Sequence, residues 1–368
     1  MTMSRYSRLS ESMKVNGFDI VVINPGPTLT YLTGLHFHLM ERPTLLIYRL
    51  GYKPVLILPE LEIGKITSST IDLVPVTFGD DPSTWPHIIK KALQSLEIGR
   101  GKIAVEPTRL RFMEIDLLSR TIPGLEFANG EAVFTALRIQ KDQGEISAMR
   151  KAVAIAQTAF KTTLPLIRSG VTELEVASAL TIELLKAGSS TELPFQPIVA
   201  SGPNSANPHA VPTHRQLNNG DLVVIDWGAA YEDYCSDLTR TFAIGEISTE
   251  LSQIYETVRL ANEAGRKAGQ PEIEAGEVDR AARKVIEDAG FGEYFTHRTG
   301  HGLGMEGHEA PYMFGANALH LNTGMVYTVE PGIYLPGKGG VRIEDDVVVT
   351  QDGSESLSDF PRQLTFLP

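Results

Sequence analysis

The sequence predicts an α/β domain followed by an α+β domain, and three observations lead there. Its 368 residues exceed what one compact core ordinarily holds, so two domains are expected. Short apolar runs alternate with helical spacing up to residue 133. From residue 134 the pattern becomes helices, hairpin, helices, hairpin, and each hairpin carries two acidic residues in apolar surroundings. The expected boundaries are therefore 1–133 and 134–368.

In the first domain, Ser4–Asn16 has helical spacing and Ile20–Ile23 is a short buried strand. Leu45–Arg49 and Pro54–Leu58 flank Gly51-Tyr52-Lys53, which reads as a hairpin turn. His87–Leu96 is a helix, Lys102–Val105 a strand and Arg109–Arg120 a helix. No catalytic cluster falls in this stretch.

The second domain opens on Ala136–Lys141 and a helical pattern over Gln143–Ile167. Thr172 opens another helix, with Glu175 placed for a capping box and Gly188 as its stop. A strand at Pro197–Ala200 precedes the first acidic hairpin, Val223–Phe242. Helices near Leu251–Ala268 and Val278–Ala289 precede a glycine-rich turn, Thr296–Glu309, and the second acidic hairpin, Val326–Val349. Each half of this loose duplication supplies two carboxylates. Pro336–Gly340 lacks phosphate-loop spacing and joins two strands, so it reads as a hairpin turn.

Five residues stand out: Asp226, Asp237, His301, Glu330 and Glu344. A carboxylate in an apolar strand is unfavourable unless paired or bound to a cation. Four carboxylates packed together cannot all ionise without a counter-charge. Two divalent cations would neutralise them, and an oxygen-rich set with one nitrogen and no thiolate suits catalytic metal chemistry. The paired residues lie 11 and 14 positions apart (226 to 237, 330 to 344), which suits neighbours across a ladder.

Net charge is −12 with pI near 5.3, which gives no electrostatic basis for binding nucleic acid or an anionic membrane. No run approaches the ~18 apolar residues of a membrane span. Residues 1–20 lack the apolar core of a signal peptide, and the single cysteine, Cys235, allows no intrachain disulfide. A cytoplasmic location is expected, with Cys235 as a packed thiol between the two Asp residues.

The motifs Asp226-Trp-Gly-Ala, Ser236-Asp-Leu-Thr-Arg-Thr, Gly300-His-Gly-Leu-Gly, Val329-Glu-Pro-Gly-Ile-Tyr and Val341-Arg-Ile-Glu-Asp occur in that order. Together they resemble the pita-bread metallopeptidases, in the branch of Xaa-Pro dipeptidase (prolidase), Xaa-Pro aminopeptidase and creatinase. The resemblance covers the chain from about Arg138 onward by motif. The earlier part matches by architecture and by Tyr31-Leu32-Thr33-Gly34. Methionine aminopeptidases share the five metal positions without the large N-terminal domain, and creatinase lacks the complete set. The resemblance implies a creatinase-like N-terminal domain and a pita-bread domain binding two divalent metal ions. Manganese is the first expectation, with cobalt, zinc and iron as alternatives.

It also implies hydrolysis of the X-Pro bond of short proline-containing peptides by a homodimer. Xaa-Pro dipeptidase is favoured over Xaa-Pro aminopeptidase. More distant alternatives are a hydrolase or lyase acting on a small amidino or sulfonium compound, and a metal-free binding module. Glu330 is the expected proton shuttle, while His209, His297 and His308 match active-site histidines. Arg342 shares a strand face with Glu344 and would orient it or meet a substrate carboxylate. Arg240 is expected to be structural. His38, in the polar loop His36–Arg42, is a candidate for the substrate's C-terminus. One departure stands out: many relatives carry Arg four residues after the His308 position, where this chain has Tyr312.

Overall fold

The computed structural model describes Ser4–Pro368. The chain forms two compact units that divide between Arg138 and Ile139. The break lies slightly beyond the boundary expected from sequence. Helix Glu131–Arg138 packs on helix Arg5–Val15 of the first unit, where Ser12 Oγ donates to Val133 O at 3.1 Å.

The first unit is a six-stranded mixed sheet with helices packed against it. Its strands run in the order 74–78, 55–59, 45–49, 20–23, 101–105, 125–129. Ile20–Ile23 pairs antiparallel with Leu45–Arg49 and parallel with Gly101–Val105. This central position explains the unbroken Ile-Val-Val-Ile run, which is buried along its whole length. Ile20, Val22, Ile47, Ile57 and Ile103 pack against Ile89 and Leu93 of helix Trp85–Ser95. Helix Arg5–Val15 begins at Ser4, whose side chain accepts from Ser7 N, and stops at Gly17 with φ 70°. Elements not foreseen include helices Pro27–Thr33 and Glu131–Arg138, the short 3-10 helix Glu60–Ser68 and the strands Val74–Phe78 and Leu125–Asn129.

The second unit repeats one theme twice, a helix pair on a mainly antiparallel sheet. Helices Gln143–Thr163 and Glu173–Lys186 each begin with a capping box, Asp142 with Glu145 and Thr172 with Glu175. They cover a sheet ordered 366–367, 238–244, 222–227, 198–201. Phe160 stacks on fully buried Trp227, ring centroids 4.2 Å apart, and burial of each ring contributes about 2–3 kcal/mol. Helices Thr249–Ala268 and Gly276–Asp288 form the second pair. The second sheet is ordered 309–313, 300–302, 326–329, 345–349, 354–356. The halves meet where Glu344 N donates to Thr239 O at 3.0 Å. This is the pita-bread architecture that the motifs imply.

Of the two acidic pairs, the first does not face across its ladder. Asp226 lies opposite Thr239, not Asp237. Asp237 directly precedes strand Leu238–Ile244, and a small hairpin, Ala230–Tyr231 with Tyr234–Cys235, fills the interval. The second pair is built likewise. Val329 faces Asp345, and the hairpin of Gly332–Leu335 with Gly339–Arg342 is inserted between Glu330 and Glu344. Extending that antiparallel register by one step sets Glu330 opposite Glu344. In each half, ligand-type residues sit at strand ends beside an inserted hairpin.

Candidate metal centre

The strand ends bring Asp226, Asp237, His301, Glu330 and Glu344 together. Among the described residues, three overlapping groups could each hold an ion. These are Asp226–Asp237–Glu344, His301–Glu330–Glu344 and Asp237–His301–His308, with ligand atoms within 4.8 Å in each group. His301 Nε2 lies 3.3 Å from Glu330 Oε1 and 3.7 Å from Asp237 Oδ2. His301 Nδ1 donates to Gly302 O at 3.1 Å. That bond places the proton on Nδ1 and turns the Nε2 lone pair toward the carboxylates, as a metal-ligating histidine requires.

The electrostatics fit a cation. Asp237 and Glu344 are pushed well above the usual carboxylate range by burial and by their acidic neighbours. Glu330 is pushed up to about 7 by burial, against the opposing charge of Arg342. Burial also lowers His301 to about 3, so its imidazole is neutral. Asp226 Oδ1 and Asp237 Oδ1 are buried with no hydrogen-bond partner. Such orphaned acceptors are unfavourable unless a cation or water completes them. Hard oxygens with one imidazole and no thiolate match a divalent ion of the catalytic type.

Thr239 Oγ1 donates to Glu344 Oε2 at 2.6 Å, fixing one oxygen of that carboxylate. Asp346 Oδ2 accepts the Asp237 N–H at 3.1 Å. Arg342 is 3 % exposed, and its Nη2 donates to Asp226 Oδ2 at 2.6 Å, not to Glu344. Its Nη1 donates to Pro208 O and to Tyr334 Oη, both at 3.1 Å, and its Nε to Thr239 Oγ1 at 3.2 Å. The guanidinium is thereby committed to orienting the centre. Arg240 is buried and donates to Asp345 Oδ1, Glu344 O, Phe360 O and Pro361 O, a structural set.

The other histidines differ. The His308 ring stacks on His301, centroids 3.7 Å apart, and is lowered by burial and by the charge of Arg298. His297 Nδ1 donates to Arg298 O at 2.8 Å, so its Nε2 accepts from Tyr334 Oη at 2.9 Å. Burial lowers His297 to about 4. His209 is exposed, and its charge acts on both His297 and His308. His38 lies in the first unit on an exposed irregular segment. In the same segment Arg42 is already paired with Glu41 and Asp80, each at 2.6 Å.

Sequence reasoning missed Arg298, Tyr334, Thr239 and Asp346. The Arg298 guanidinium lies 4.3 Å above the Tyr312 ring, the position where many relatives carry Arg. Its signal was its place beside His297 and three residues before His301. Tyr334 gave a weaker signal, as the last residue of Glu330-Pro-Gly-Ile-Tyr.

Known proteins agree with this reading of the fold. Residues 147–351 match Metallopeptidase family M24, and residues 5–140 match the Creatinase/Prolidase N-terminal domain. The putative dipeptidase YkvY of Bacillus subtilis is 36% identical over 365 residues, covering 99% of this chain and 100% of that protein. The Xaa-Pro dipeptidase of Lactobacillus delbrueckii subsp. lactis is 36% identical over 365 residues, covering 98% of each. The crystal structure of a dipeptidase from Pyrococcus horikoshii OT3 superposes with a TM-score of 0.93 at 36% identity, covering 99% of this chain and 100% of that one. This chain belongs to metallopeptidase family M24, with a creatinase/prolidase N-terminal domain preceding its peptidase domain.

Proposed function

We propose that this enzyme hydrolyses Xaa-Pro dipeptides with two divalent metal ions, manganese first among them. The observation that carries the reading is the buried cluster of four carboxylates with one correctly oriented imidazole. Asp226, Asp237, His301, Glu330 and Glu344 would hold the ions. When bound, such ions supply Lewis acidity, acidifying water and polarising a carbonyl.

The chain's own groups do the rest. Glu330 accepts the proton of the attacking water and returns it to the departing proline nitrogen. His308 and His209, at the exposed side of the cluster, donate to the developing oxyanion. His297 accepts at Nε2, so it holds the Tyr334 hydroxyl in place instead of donating to substrate. An X-Pro bond has no N–H and proline fixes φ, so a site reading substrate side chains and termini suits it better than a strand-like groove.

Arg298 supports the dipeptidase form. Its guanidinium rests on Tyr312 beside His308, where a dipeptide's free carboxylate would meet it. A second reading, Xaa-Pro aminopeptidase, is favoured by Tyr312 itself, since the arginine common at that position is absent. Homodimeric assembly and a cytoplasmic location belong to the same proposal. The 36–42 loop leaves Leu39 and Met40 exposed, and sedimentation of the purified protein would read the stoichiometry. The deciding experiment compares Ala-Pro with Ala-Pro-Ala in the presence of Mn. Faster cleavage of the dipeptide is expected, and faster cleavage of the tripeptide would select the aminopeptidase.

A further inference from the structure

We propose that the buried Lys141–Glu309 ion pair is a positioning device that fixes the loop bearing His308 over the carboxylate cluster. The role of His308 rests on the proposed hydrolysis, whereas the placement of its ring does not.

Lys141 Nζ donates to Glu309 Oε1 at 2.8 Å, and the two side chains are only 1% and 7% exposed. The partners are 168 residues apart in sequence. Neither belongs to a metal-binding group, so the pair serves no reacting atom directly. Both ends are anchored. Lys141 N donates to Gly324 O at 2.8 Å, Gln140 bridges to Met325, and the next residue, Asp142, caps helix Gln143–Thr163. Glu309 follows His308 directly and opens strand Glu309–Met313.

The loop from Leu303 to His308 lies on this pair. A Cβ at Gly304 would come within 2.6 Å of Glu309 Oε1 and 2.9 Å of Lys141 Cε, so loop backbone and ion pair are in contact. The loop base is held by Leu303 N to Val326 O at 3.1 Å and by Cys235 N to Gly304 O at 2.8 Å. Its far end carries His308, whose exposed residue keeps its ring stacked on His301. The ion pair therefore fixes the start of the return strand, one residue from that ring.

Stability alone does not account for such a pair. Removing two charges from water costs several kcal/mol per ion, and an apolar pair of similar volume is often as stable or more so. A charged pair contributes direction and length, because its hydrogen bond holds only in one geometry. A positioning role predicts that stability and turnover separate when the pair is replaced.

The test uses the full-length enzyme and three variants: Lys141→Met, the double variant Lys141→Met/Glu309→Leu, and Glu309→Asp. The single Lys141→Met change removes the cation beside a buried carboxylate and lowers the melting temperature. The double variant is expected to recover the melting temperature and bind Mn with wild-type stoichiometry. Its kcat on Ala-Pro should remain down roughly 10- to 100-fold with KM little changed, the size expected for a misplacement near 1 Å. The ring signals of isotopically labelled His308, shifted by stacking on His301, should move toward those of an exposed histidine. Glu309→Asp keeps the charge and shortens the reach by one methylene, so it should lose turnover with little loss of stability. It decides the matter if the double variant does not fold. Wild-type kcat and His308 signals in the double variant, or in Glu309→Asp, would overturn the proposal. A wild-type enzyme that leaves Ala-Pro uncleaved would sink the hydrolase reading instead, and the His308 signals would still report the positioning.

Discussion

Arg342 Nη2 stands 2.6 Å from Asp226 Oδ2, while Asp226 Oδ1 is buried without a partner. One oxygen is held by the protein and the other is left for a cation. The same guanidinium bonds Tyr334, Pro208 and Thr239, so it ties together both halves of the second unit. Arg342→Met is expected to weaken binding of at least one metal ion by roughly 10- to 100-fold, the usual effect of losing a group that orients a ligand. Arg342→Lys should restore little, because an ammonium cannot reproduce the planar fork. Calorimetric titration with Mn checks both, and wild-type affinity in the Met variant would refute the orienting role.

The metal-free protein should lose stability as pH rises. Glu330 is pushed up to about 7, and Asp237 and Glu344 are also raised, in each case chiefly by burial. Unfolded carboxyls titrate near ~4, so above that pH the folded state holds protons that the unfolded chain has released. Stability is then fully present below about 4 and falls as pH rises through about 7. Asp345, held below the usual carboxylate range despite its burial by Arg240 and Arg362, contributes in the opposite sense, but only at more acid pH. Buried His297 and His301, lowered to about 4 and about 3, oppose this trend up to the ~6.5 of an unfolded histidine, so the melting temperature of chelated protein should drop by several degrees between about pH 6.5 and 8.5. Saturating Mn should flatten or reverse that slope, because binding favours the deprotonated ligands. A chelated protein whose melting temperature rises over that range would contradict the clustering of these carboxylates.

The five ligand-type residues were legible because buried carboxylates are conspicuous against apolar strands. They stand out as two acidic pairs with a histidine between them, not singly. How the first pair meets was not legible, since an inserted hairpin carries Asp237 past the strand end and leaves Asp226 facing Thr239. The capping box of Thr172 with Glu175 was equally readable, because it acts through the next turn of its own chain. Arg298 and Tyr334 were not, because their partners are set by tertiary packing. Arg298 is one polar residue in a glycine-rich turn until Tyr312 lies beneath it. Strand Val74–Phe78 was missed for a different reason. It is a partly exposed edge strand containing Pro75, so it lacks the continuous apolar run of a central one.

Metal binding and turnover should separate at the two stacked histidines. His301→Ala removes the Nε2 that faces Glu330 and Asp237, so metal content should fall together with activity. His308→Ala removes a ring at the exposed side of the stack. Its metal content should stay near that of the wild type while turnover drops roughly 10²- to 10⁴-fold, as for loss of an acid–base or oxyanion group. Elemental analysis of the two purified variants, beside kcat on Ala-Pro, distinguishes the roles. Equal metal loss in both would show that His308 is a ligand.

Substrate length should depend on Arg298. Its guanidinium is supported from below by the Tyr312 ring and acts on His308 and Glu330 through its charge. A dipeptide presents a carboxylate one residue beyond the scissile bond, whereas a tripeptide presents an uncharged amide there. Charge-assisted bonds of this kind contribute about 1.5–3 kcal/mol when desolvated. Arg298→Ala should therefore cut kcat/KM for Ala-Pro by roughly 10- to 150-fold and leave Ala-Pro-Ala nearly unchanged. Tyr312→Ala should reproduce part of that loss by removing the surface under the guanidinium, worth about 0.5–2 kcal/mol. His38→Ala and Arg42→Ala serve as comparisons in the exposed loop of the first unit, where Arg42 is already engaged by Glu41 and Asp80. If those loop variants narrow the gap between the two peptides while Arg298→Ala does not, the carboxylate is read by the loop and the Arg298 assignment fails.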